Sequence, residues 1–263
     1  MTSRWRRALA AGAVLAIAVA CVELGGPKSG VTSISNLRLP YPSVVIGGLL
    51  RDSLGVPSPL SITAFGPNGE TLAEAISFIA LDSSISVDAD GTVHGLLRDS
   101  LGGRVVAGAG GLQTPPHRII VTYAPVEAVK STATTAIQFD AALPDTTEKL
   151  NWSPPLELTL NGDGGLAQGY IVTYQLTRTP PAKVAGEPTA YVADENGRAM
   201  TRDTTDTKGV AARRIVLRQA ATEDALRGGT RTDTVIVRAT VKYLGSDVPG
   251  SPVEFVVPVS RKP

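Results

Sequence analysis

The chain has 263 residues, with 25 basic and 24 acidic side chains, a formal net charge of +1 and only 5% aromatic residues. A protein that binds nucleic acid needs a basic face to neutralise phosphates, so this near balance argues against a nucleic-acid partner. The 27 glycines and 19 prolines leave little room for long helices. The composition therefore favours short strands joined by turns, and the length is sufficient for about two domains.

The first 21 residues have the layout of an export signal. Arg4, Arg6 and Arg7 precede an apolar run over residues 8–20, and Cys21, the only cysteine, follows directly. A basic start, a short apolar run and small residues before the cut are the three parts of a secretory signal. About 13 helical residues cover roughly 20 Å, which is less than the roughly 30 Å hydrocarbon core of a bilayer. We therefore predict a signal peptide over residues 1–20 rather than a membrane span.

The residues Ala18-Val19-Ala20-Cys21 resemble the lipobox of bacterial lipoproteins, although that family usually has Leu where Ala18 stands. The resemblance implies that signal peptidase cleaves before Cys21 and that the Cys21 thiol carries a diacylglycerol, which makes the membrane a partner. The expected location is then the cell envelope, at an outer membrane or its periplasmic face, or at the cell surface. An ordinary signal peptide followed by an unrelated cysteine is the alternative.

The remainder divides into a tether and two β-rich regions. Residues 22–35 are rich in Gly, Ser and Thr, and such a composition cannot repay the entropy cost of ordering the chain. We therefore predict a lipid-anchored flexible tether over residues 21–39. A first domain is expected over residues 40–124 and a second, including its linker, over residues 125–263, with the boundary near Pro125.

Both regions show short alternating segments between turn signals, which predict antiparallel hairpins. Leu60, Ile62 and Ala64 alternate with polar residues before a Pro-Asn-Gly turn, and Val235, Val237, Ala239 and Val241 form one apolar face of the longest segment. We therefore predict an all-β chain of two tandem antiparallel β-sandwiches. The predicted strands cover 60–64, 76–81, 85–87, 118–123, 137–139, 156–160, 170–176, 191–192, 215–217, 234–241 and 253–257. Residues 222–226 are the only plausible helix.

An eight-residue string, GLLRDSLG, occurs twice, at residues 48–55 and 95–102. The flanking residues do not match, which argues against a solenoid. One interpretation is that each copy is a strand end and turn, with Arg paired to its neighbouring Asp. The other is that Arg51, Asp52, Arg98 and Asp99 belong to recognition turns on one exposed surface.

Two segments carry a family resemblance. The first runs from Phe78 through Val87-Asp88-Ala89-Asp90-Gly91-Thr92-Val93-His94-Gly95 to a Val/Ala strand at 104–107, and it resembles bacterial Ig-like domains of the second group. The second includes 191–199, 205–211, 235–241 and 253–255, and it resembles the invasin-type bacterial Ig-like domain. Together these resemblances cover about 40–123 and 137–259. They imply Ig-like sandwiches used for adhesion, spacing, or contact with a glycan or protein, without a shared catalytic residue.

Few residues occur in patterns typical of a catalytic or metal-binding site. His94 and His117 lack the spacing of a metal site, and no G-x-S-x-G motif marks a hydrolase nucleophile. We expect turn formation to explain the acidic clusters, and a bend to explain the glycines at 108–111. The acidic clusters are Asp82 with Asp88 and Asp90, Asp194 with Glu195, and Asp203 with Asp206.

The sequence therefore predicts a non-enzymatic cell-envelope lipoprotein without a cofactor or metal. We expect it to function in adhesion, binding or scaffolding, with an unknown protein or glycan as its partner. The alternatives are a carbohydrate-binding or enzyme-associated accessory module and, less favoured, an enzyme with an unfamiliar site.

Overall fold

The structure is a computed structural model that describes residues 30–131, 136–143, 146, 149–180, 188–218 and 232–262. These residues form strands, turns and loops without a helix, which confirms the all-β prediction. In this part of the chain, no helix has the length and apolar character needed to cross a bilayer. The predicted signal peptide, Cys21 and the predicted helix at 222–226 lie outside the described residues.

The strands of the N-terminal region, residues 30–123, are mostly short. They are β1 Ser33–Ile34, β2 Ser43–Val45, β3 Ala64–Phe65, β4 Thr71–Leu72, β5 Ser77–Ala80, β6 Ile85–Val87, β7 Val93–Gly95, β8 Asp99–Ala109, β9 Leu112–Gln113 and β10 His117–Thr122.

The strands of the C-terminal region, residues 124–262, include several of seven residues or more. They are β11 Pro125–Lys130, β12 Ile137–Phe139, β13 Asn151–Trp152, β14 Leu156–Gly162, β15 Gly165–Leu166, β16 Ile171–Arg178, β17 Ala190–Ala193, β18 Arg202–Thr204, β19 Val210–Leu217, β20 Thr232–Tyr243, β21 Ser246–Asp247 and β22 Val253–Arg261.

Contacts within the chain divide it into two compact units. Unit 1 comprises Met1–Leu37, Ile62–Ser77 and Ala107–Pro115, and unit 2 comprises Arg38–Ser61, Phe78–Val106 and Pro116–Pro263. The expected boundary near Pro125 stays a prediction.

Unit 1 contains a three-stranded antiparallel sheet in the order β1-β3-β4. Its strand β1 lies in the segment that we expected to be a flexible tether. Val31 and Leu37 on either side of β1 are buried, and Ser33 and Ile34 pair with β3. The tether prediction is therefore wrong for residues 31–39, because the two apolar side chains supply enough burial to order this part of the chain.

The N-terminal part of unit 2 is built on the sheet order β2-β10-β8-β5, with β6 and β7 as a separate hairpin. Strand β2 runs parallel to β10, whereas β10 and β8 are antiparallel. The 11-residue β8 was predicted only at 104–107, where the family resemblance implies a strand. The remainder of β8 was not predicted because its glycines do not form a strand pattern. A Cβ on Gly103 would lie 2.7 Å from Ser84 Oγ and 2.8 Å from Ile85 Cγ1. The glycine there permits a close approach instead of a turn.

The C-terminal part of unit 2 consists of two sheets. One has the order β11-β14-β19, with β13 and β17 both on β19, and the other has the order β12-β22-β20-β16-β18. Reading β11, β14, β16, β19, β20 and β22 as strands A, B, C, E, F and G gives the immunoglobulin arrangement, with A-B-E in one sheet and G-F-C in the other. The topology therefore agrees with the predicted Ig-like sandwich.

A continuous apolar core fills this sandwich. Val235, Val237, Ala239 and Val241 of β20 have no exposed surface, which confirms the predicted core face of that strand. Arg238, between them in sequence, is on the outer face and pairs with Glu254 at 3.3 Å. The largest completely enclosed side chains of the region are Tyr174, Phe139, Phe255, Ile137, Leu156, Leu158, Leu160, Ile215 and Leu217.

Candidate functional site

The place where the N-terminal part of unit 2 continues into the C-terminal part brings together most of the distinctive residues. Strand β10 ends at Thr122 and β11 begins at Pro125, so two residues, Tyr123 and Ala124, form the connection. We call this place the junction. Its N-terminal side comprises residues 41–55, 98–100 and 122–124, and its C-terminal side comprises residues 162–171 and 242–245.

Hydrogen bonds join the two sides of the junction directly. Ser43 and Thr122 are buried, so their bonds are shielded from competing water. The bonds run from Ser43 Oγ to Gly169 O at 2.9 Å, from Gln168 N to Thr122 Oγ1 at 2.9 Å, from Ile171 N to Tyr41 Oη at 2.9 Å and from Tyr170 Oη to Tyr123 O at 3.0 Å. The two sides are thus held in one relative orientation.

Three tyrosines pack against one another at the junction. The Tyr170 ring centroid lies 6.2 Å from that of Tyr41, with the planes 60° apart, and 6.1 Å from that of Tyr243, with the planes 79° apart. Burial raises the pKa of Tyr170, and burial is also the main cause of the raised pKa values of Tyr41 and Tyr243. These phenols therefore stay protonated and able to donate hydrogen bonds at neutral pH.

The Asp and the final Gly of the two GLLRDSLG copies have similar local hydrogen bonds and backbone angles. Asp52 Oδ1 accepts hydrogen bonds from the amides of Leu54 and Val56, and Asp99 Oδ1 accepts them from Leu101 and Gly102. The final glycines, Gly55 and Gly102, have φ values of 83° and 84°. The first copy therefore ends in an Asp-stabilised reversal with Gly in the left-handed region, as the turn interpretation predicts. In the second copy, residues 99–102 lie within β8 and form a bulge opposite Ile119 and Val121 instead of a reversal, so the turn interpretation is wrong there.

The copies begin side by side. The Gly95 amide donates to Gly48 O at 3.0 Å, and these two glycines are the first residues of the two copies. A Cβ on Gly48 would lie 3.3 Å from Val45 O, and one on Gly95 would lie 2.5 Å from the same atom. The first glycine of each copy therefore lies close to the Val45 carbonyl oxygen. Beyond these glycines the two copies follow different paths.

The first copy packs against the C-terminal side of the junction. A Cβ on Gly55 would lie 2.4 Å from Leu244 Cα, and a Cβ on Gly245 would lie 2.8 Å from Leu54 O. Leu244 has a φ of 51°, and in the described part of the chain it is the only residue other than glycine with a positive φ. Two backbone turns thus meet with no space for a side chain between them.

The second copy contacts the same side of the junction through different atoms. Gln168 Nε2 donates to Ser100 O at 3.0 Å. The Arg98 guanidinium lies 5.1 Å from the centroid of the Tyr123 ring, within the range of a cation–π contact. Both copies therefore contribute to holding the junction.

The arginines are not used as expected. Among the described ion pairs, none joins Arg51 to Asp52 or Arg98 to Asp99; Arg51 Nη1 instead donates to Gly55 O at 2.8 Å and closes its own turn. The expected Arg–Asp pairing is therefore wrong. That Arg51, Asp52, Arg98 and Asp99 form recognition turns stays a prediction. The neighbouring leucines, Leu54 and Leu101, are 71% and 76% exposed.

A groove runs along the junction beside the first copy. Its enclosed end is a cavity of about 140 Å³ whose walls include Tyr41, Arg51, Asp52 and Tyr243. An adjoining open depression of about 310 Å³ shares Tyr41, Ser53 and Lys242 with the cavity. The depression adds Ile171, Thr173, Arg202 and Thr240. We call the two together the junction groove.

The acidic clusters divide into turns and ion pairs. Asp90, Asp194 and Asp206 accept amide hydrogen bonds in their own turns, as predicted. Asp82 instead forms a two-point pair with Arg104 at 2.9 and 2.8 Å, and these contacts hold the pKa of the Asp82 carboxyl well below its usual range. Asp203 similarly contacts Arg213 at 3.0 Å. Turn formation thus explains only part of these clusters.

The two histidines lie in strands of two different sheets of the N-terminal region. His94 lies in β7 with its Nε2 atom 2.8 Å from Asp88 Oδ2, and His117 is the first residue of β10. Among the described residues, no group of three or more His, Cys, Asp or Glu side chains is placed to hold a metal ion.

Sequence reasoning missed the tyrosines of the junction. Tyr41, Tyr170 and Tyr243 are separated by more than 70 residues from one to the next, and no local spacing relates them. Only the doubled GLLRDSLG string pointed to this place, because both of its copies lie there.

No family model matches the chain, and no curated protein matches it significantly. Solved structures similar to the chain include domains 4 and 5 of the S-layer protein SbsC, with 15% identity over 89% of this chain and 100% of that chain and a TM-score of 0.28. The Yersinia pseudotuberculosis adhesin InvE shows 16% identity over 90% of this chain and 62% of that chain, with a TM-score of 0.31. The tandem Ig repeats of Dlar show 8% identity over 88% of this chain and 97% of that chain, with a TM-score of 0.22. At these scores the likenesses do not assign a function to the chain.

Proposed function

We propose that this protein is an exported, lipid-anchored, non-enzymatic component of the cell envelope whose tandem sandwiches act in adhesion, binding or scaffolding. The observation that supports this proposal is the hydrogen-bonded junction. A two-residue connection and the buried bonds of Ser43 and Thr122 favour one fixed orientation of the C-terminal sandwich.

A fixed orientation suits a protein that presents a surface at a set distance from its anchor. Flexible linkers let domains sample many orientations, and inter-domain motion is the usual expectation unless the contact is extensive. Here the contact includes side-chain, backbone and ring interactions. The loops at the ends of such a rigid scaffold are suitable positions for partner contacts.

The proposed anchor limits how far the fold can lie from the membrane. Nine residues, 22–30, separate Cys21 from the buried Val31. Even a fully extended chain spans at most about 3.6 Å per residue, so they could reach about 30 Å. A lipid on Cys21 would therefore keep Val31 close to the bilayer.

The rigidity can be tested with a pair of spin labels in a Cys21→Ser background. Labels at Ala89→Cys and Glu195→Cys, both exposed turn positions, should give a narrow distance distribution by double electron–electron resonance. Adding Gly55→Ala should broaden or shift it, because the new Cβ would lie 2.4 Å from Leu244 Cα.

Gly69→Ala is the matched control for Gly55→Ala. Gly69 has a similar φ of 79°, but nothing lies within 4 Å of its Cβ position, so its backbone strain is comparable without the contact. A broad distribution in the parent protein, or equal broadening by both variants, would contradict a junction fixed by this contact.

The anchor requires a separate test. Cells that express the parent chain should incorporate a radioactive fatty acid into it, whereas Cys21→Ser should remain unlabelled because Cys21 is the only thiol. Equal labelling of the two proteins would rule out attachment at Cys21.

The alternative function, a carbohydrate-binding or enzyme-associated accessory module, usually requires a flat row of exposed aromatic rings. Trp152 is covered on one face by Arg214, whose guanidinium lies 5.0 Å from the ring centroid. The three junction tyrosines are inclined to one another. These aromatic residues therefore do not form a flat, exposed row of rings.

A further inference from the structure

We propose that the junction groove binds an acidic oligosaccharide. The groove combines cationic side chains, aromatic walls and hydroxyl groups in a cavity and an adjoining depression that share Tyr41, Ser53 and Lys242. This goes beyond the scaffolding function, since a rigid junction needs no ligand.

The charges that line the groove favour an anion. Arg51, Lys242 and Arg202 contribute three positive charges to its walls, and Asp52 contributes one negative charge. One Asp52 oxygen is already occupied by two backbone amides. Lys242 is only loosely paired, with its Nζ 3.9 Å from Asp247 Oδ1 and more than half of the side chain exposed. A carboxylate on a ligand could therefore replace this long contact with a shorter one.

Arg202 is available in the same way. It is exposed on β18, and its carbonyl, rather than its guanidinium, receives the hydrogen bond from Arg213. None of the described ion pairs includes the Arg202 guanidinium. Its planar group can bind a carboxylate through two parallel hydrogen bonds.

The remaining lining suits sugar rings. The half-buried rings of Tyr41 and Tyr243 offer apolar surface at the enclosed end, and the hydroxyls of Ser53, Thr173 and Thr240 line the open part. Aromatic surface can cover the C–H face of a sugar while hydroxyls exchange hydrogen bonds with its rim.

The size of the groove favours a chain of small units. Sites for drug-sized ligands usually measure about 300–1,000 Å³, whereas the enclosed end measures about 140 Å³. The adjoining depression of about 310 Å³ is open. One ring at the enclosed end with further rings along the depression would fill both parts.

An acidic peptide fits this place less well. Extended peptides commonly bind by adding a strand to a free sheet edge. In the groove, Val172 and Thr173 of β16 pair with β18 on one side and with β20 on the other. The backbone of β16 has no free edge, so a peptide along this strand would have to bind through side chains alone.

Binding can be measured by isothermal titration calorimetry with the full chain purified in detergent. Tetragalacturonate is the acidic probe, maltotetraose is the neutral sugar of equal length and tetraglutamate is the acidic peptide. We expect binding of tetragalacturonate alone, and a loss of affinity as salt rises because ionic contacts are screened. Equal binding of maltotetraose, preferential binding of tetraglutamate or no binding of tetragalacturonate would overturn the proposal.

Variants then locate the site. Lys242→Ala and Arg202→Ala should each weaken tetragalacturonate binding by about tenfold, the usual effect of losing one charged hydrogen bond. Lys208→Ala and Arg198→Ala, which remove exposed cations from other turns, should leave the affinity unchanged. Equal losses in both pairs would show non-specific attraction and refute the groove as the site. The spin-label distances should stay narrow in all four variants, which separates this test from that of the scaffold.

Discussion

The two regions of the chain reach an all-β fold by different means. In the C-terminal region, strands of seven to twelve residues enclose large side chains such as Tyr174, Phe139 and Phe255. In the N-terminal region most strands have two to four residues, and Leu50 and Ile119 are the largest side chains that are completely enclosed among the described residues. Other residues also approach Gly91, Gly95 and Gly103 closely in this region.

The regions nevertheless share one topological device. Strand β2 pairs in parallel with β10, and β12 pairs in parallel with β22. In both cases a short early strand lies beside the last strand of its region. The regions therefore differ in strand length and in the size of the side chains that they enclose.

The largest expected effect comes from a charge in the side-chain core. Val237→Asp should cost several kcal/mol, about 3–5, because it buries an unpaired carboxylate where no surface is exposed. Arg238→Asp, on the outer face of the same strand, should cost less than about 1 kcal/mol. Urea midpoints of the two variants measure the difference. Similar midpoints would mean that β20 has the wrong register.

The next largest effect is expected at high pH, which acts on the buried tyrosines. Burial raises the pKa values of Tyr170 and Tyr174, both in the C-terminal region, above the ordinary tyrosine value. A group whose folded-state pKa is raised contributes stability that is complete below its unfolded pKa, about 10 for tyrosine, and that is lost as pH rises further. Near-UV circular dichroism should therefore show loss of the C-terminal tertiary signal above about pH 10, together with phenolate absorbance. Phenolate formation by these residues without unfolding would contradict their burial.

The accuracy of the strand predictions also differs between the two regions. Alternation alone identified the core face of β20, since Val235, Val237, Ala239 and Val241 repeat with the period of a strand. The glycine-rich strand β8 has no such pattern over its first half, and its contacts with Ser84 and Ile85 are tertiary. Alternation of apolar residues predicts a strand such as β20, whose side chains pack in the core. It does not predict a glycine-rich strand such as the first half of β8, because glycine has no side chain to form a pattern.

The candidate site was only partly predictable. In both copies the Asp side chain accepts amide hydrogen bonds and the terminal glycine has a positive φ, as local chemistry predicts, but only the first copy reverses the chain. The contact of Gly55 with Leu244, and the meeting of Tyr41, Tyr170 and Tyr243, depend on how distant segments pack. No feature within a few residues of these positions records that packing.

A substitution in the N-terminal region tests the role of backbone contact. Gly103→Ala should destabilise the protein by about 1–3 kcal/mol, because its Cβ would lie 2.7 Å from Ser84 Oγ and 2.8 Å from Ile85 Cγ1. Gly30→Ala, with nothing within 4 Å, should change stability little. Thermal unfolding of the two variants provides the comparison. If Gly103→Ala is as stable as Gly30→Ala, close approach does not hold this region together.

The smallest effects on stability are expected at the repeated arginines, where the two copies can be told apart. Arg51→Ala removes a hydrogen bond to Gly55 O, and Arg98→Ala removes a contact with the Tyr123 ring. Each is partly or largely exposed, so each loss should cost less than about 1 kcal/mol. Only Arg51 lines the junction groove, so tetragalacturonate binding should weaken in Arg51→Ala and persist in Arg98→Ala. Equal weakening by both variants would instead indicate one recognition surface formed by the two copies together, and no weakening by either would leave the repeat a purely structural element of the junction.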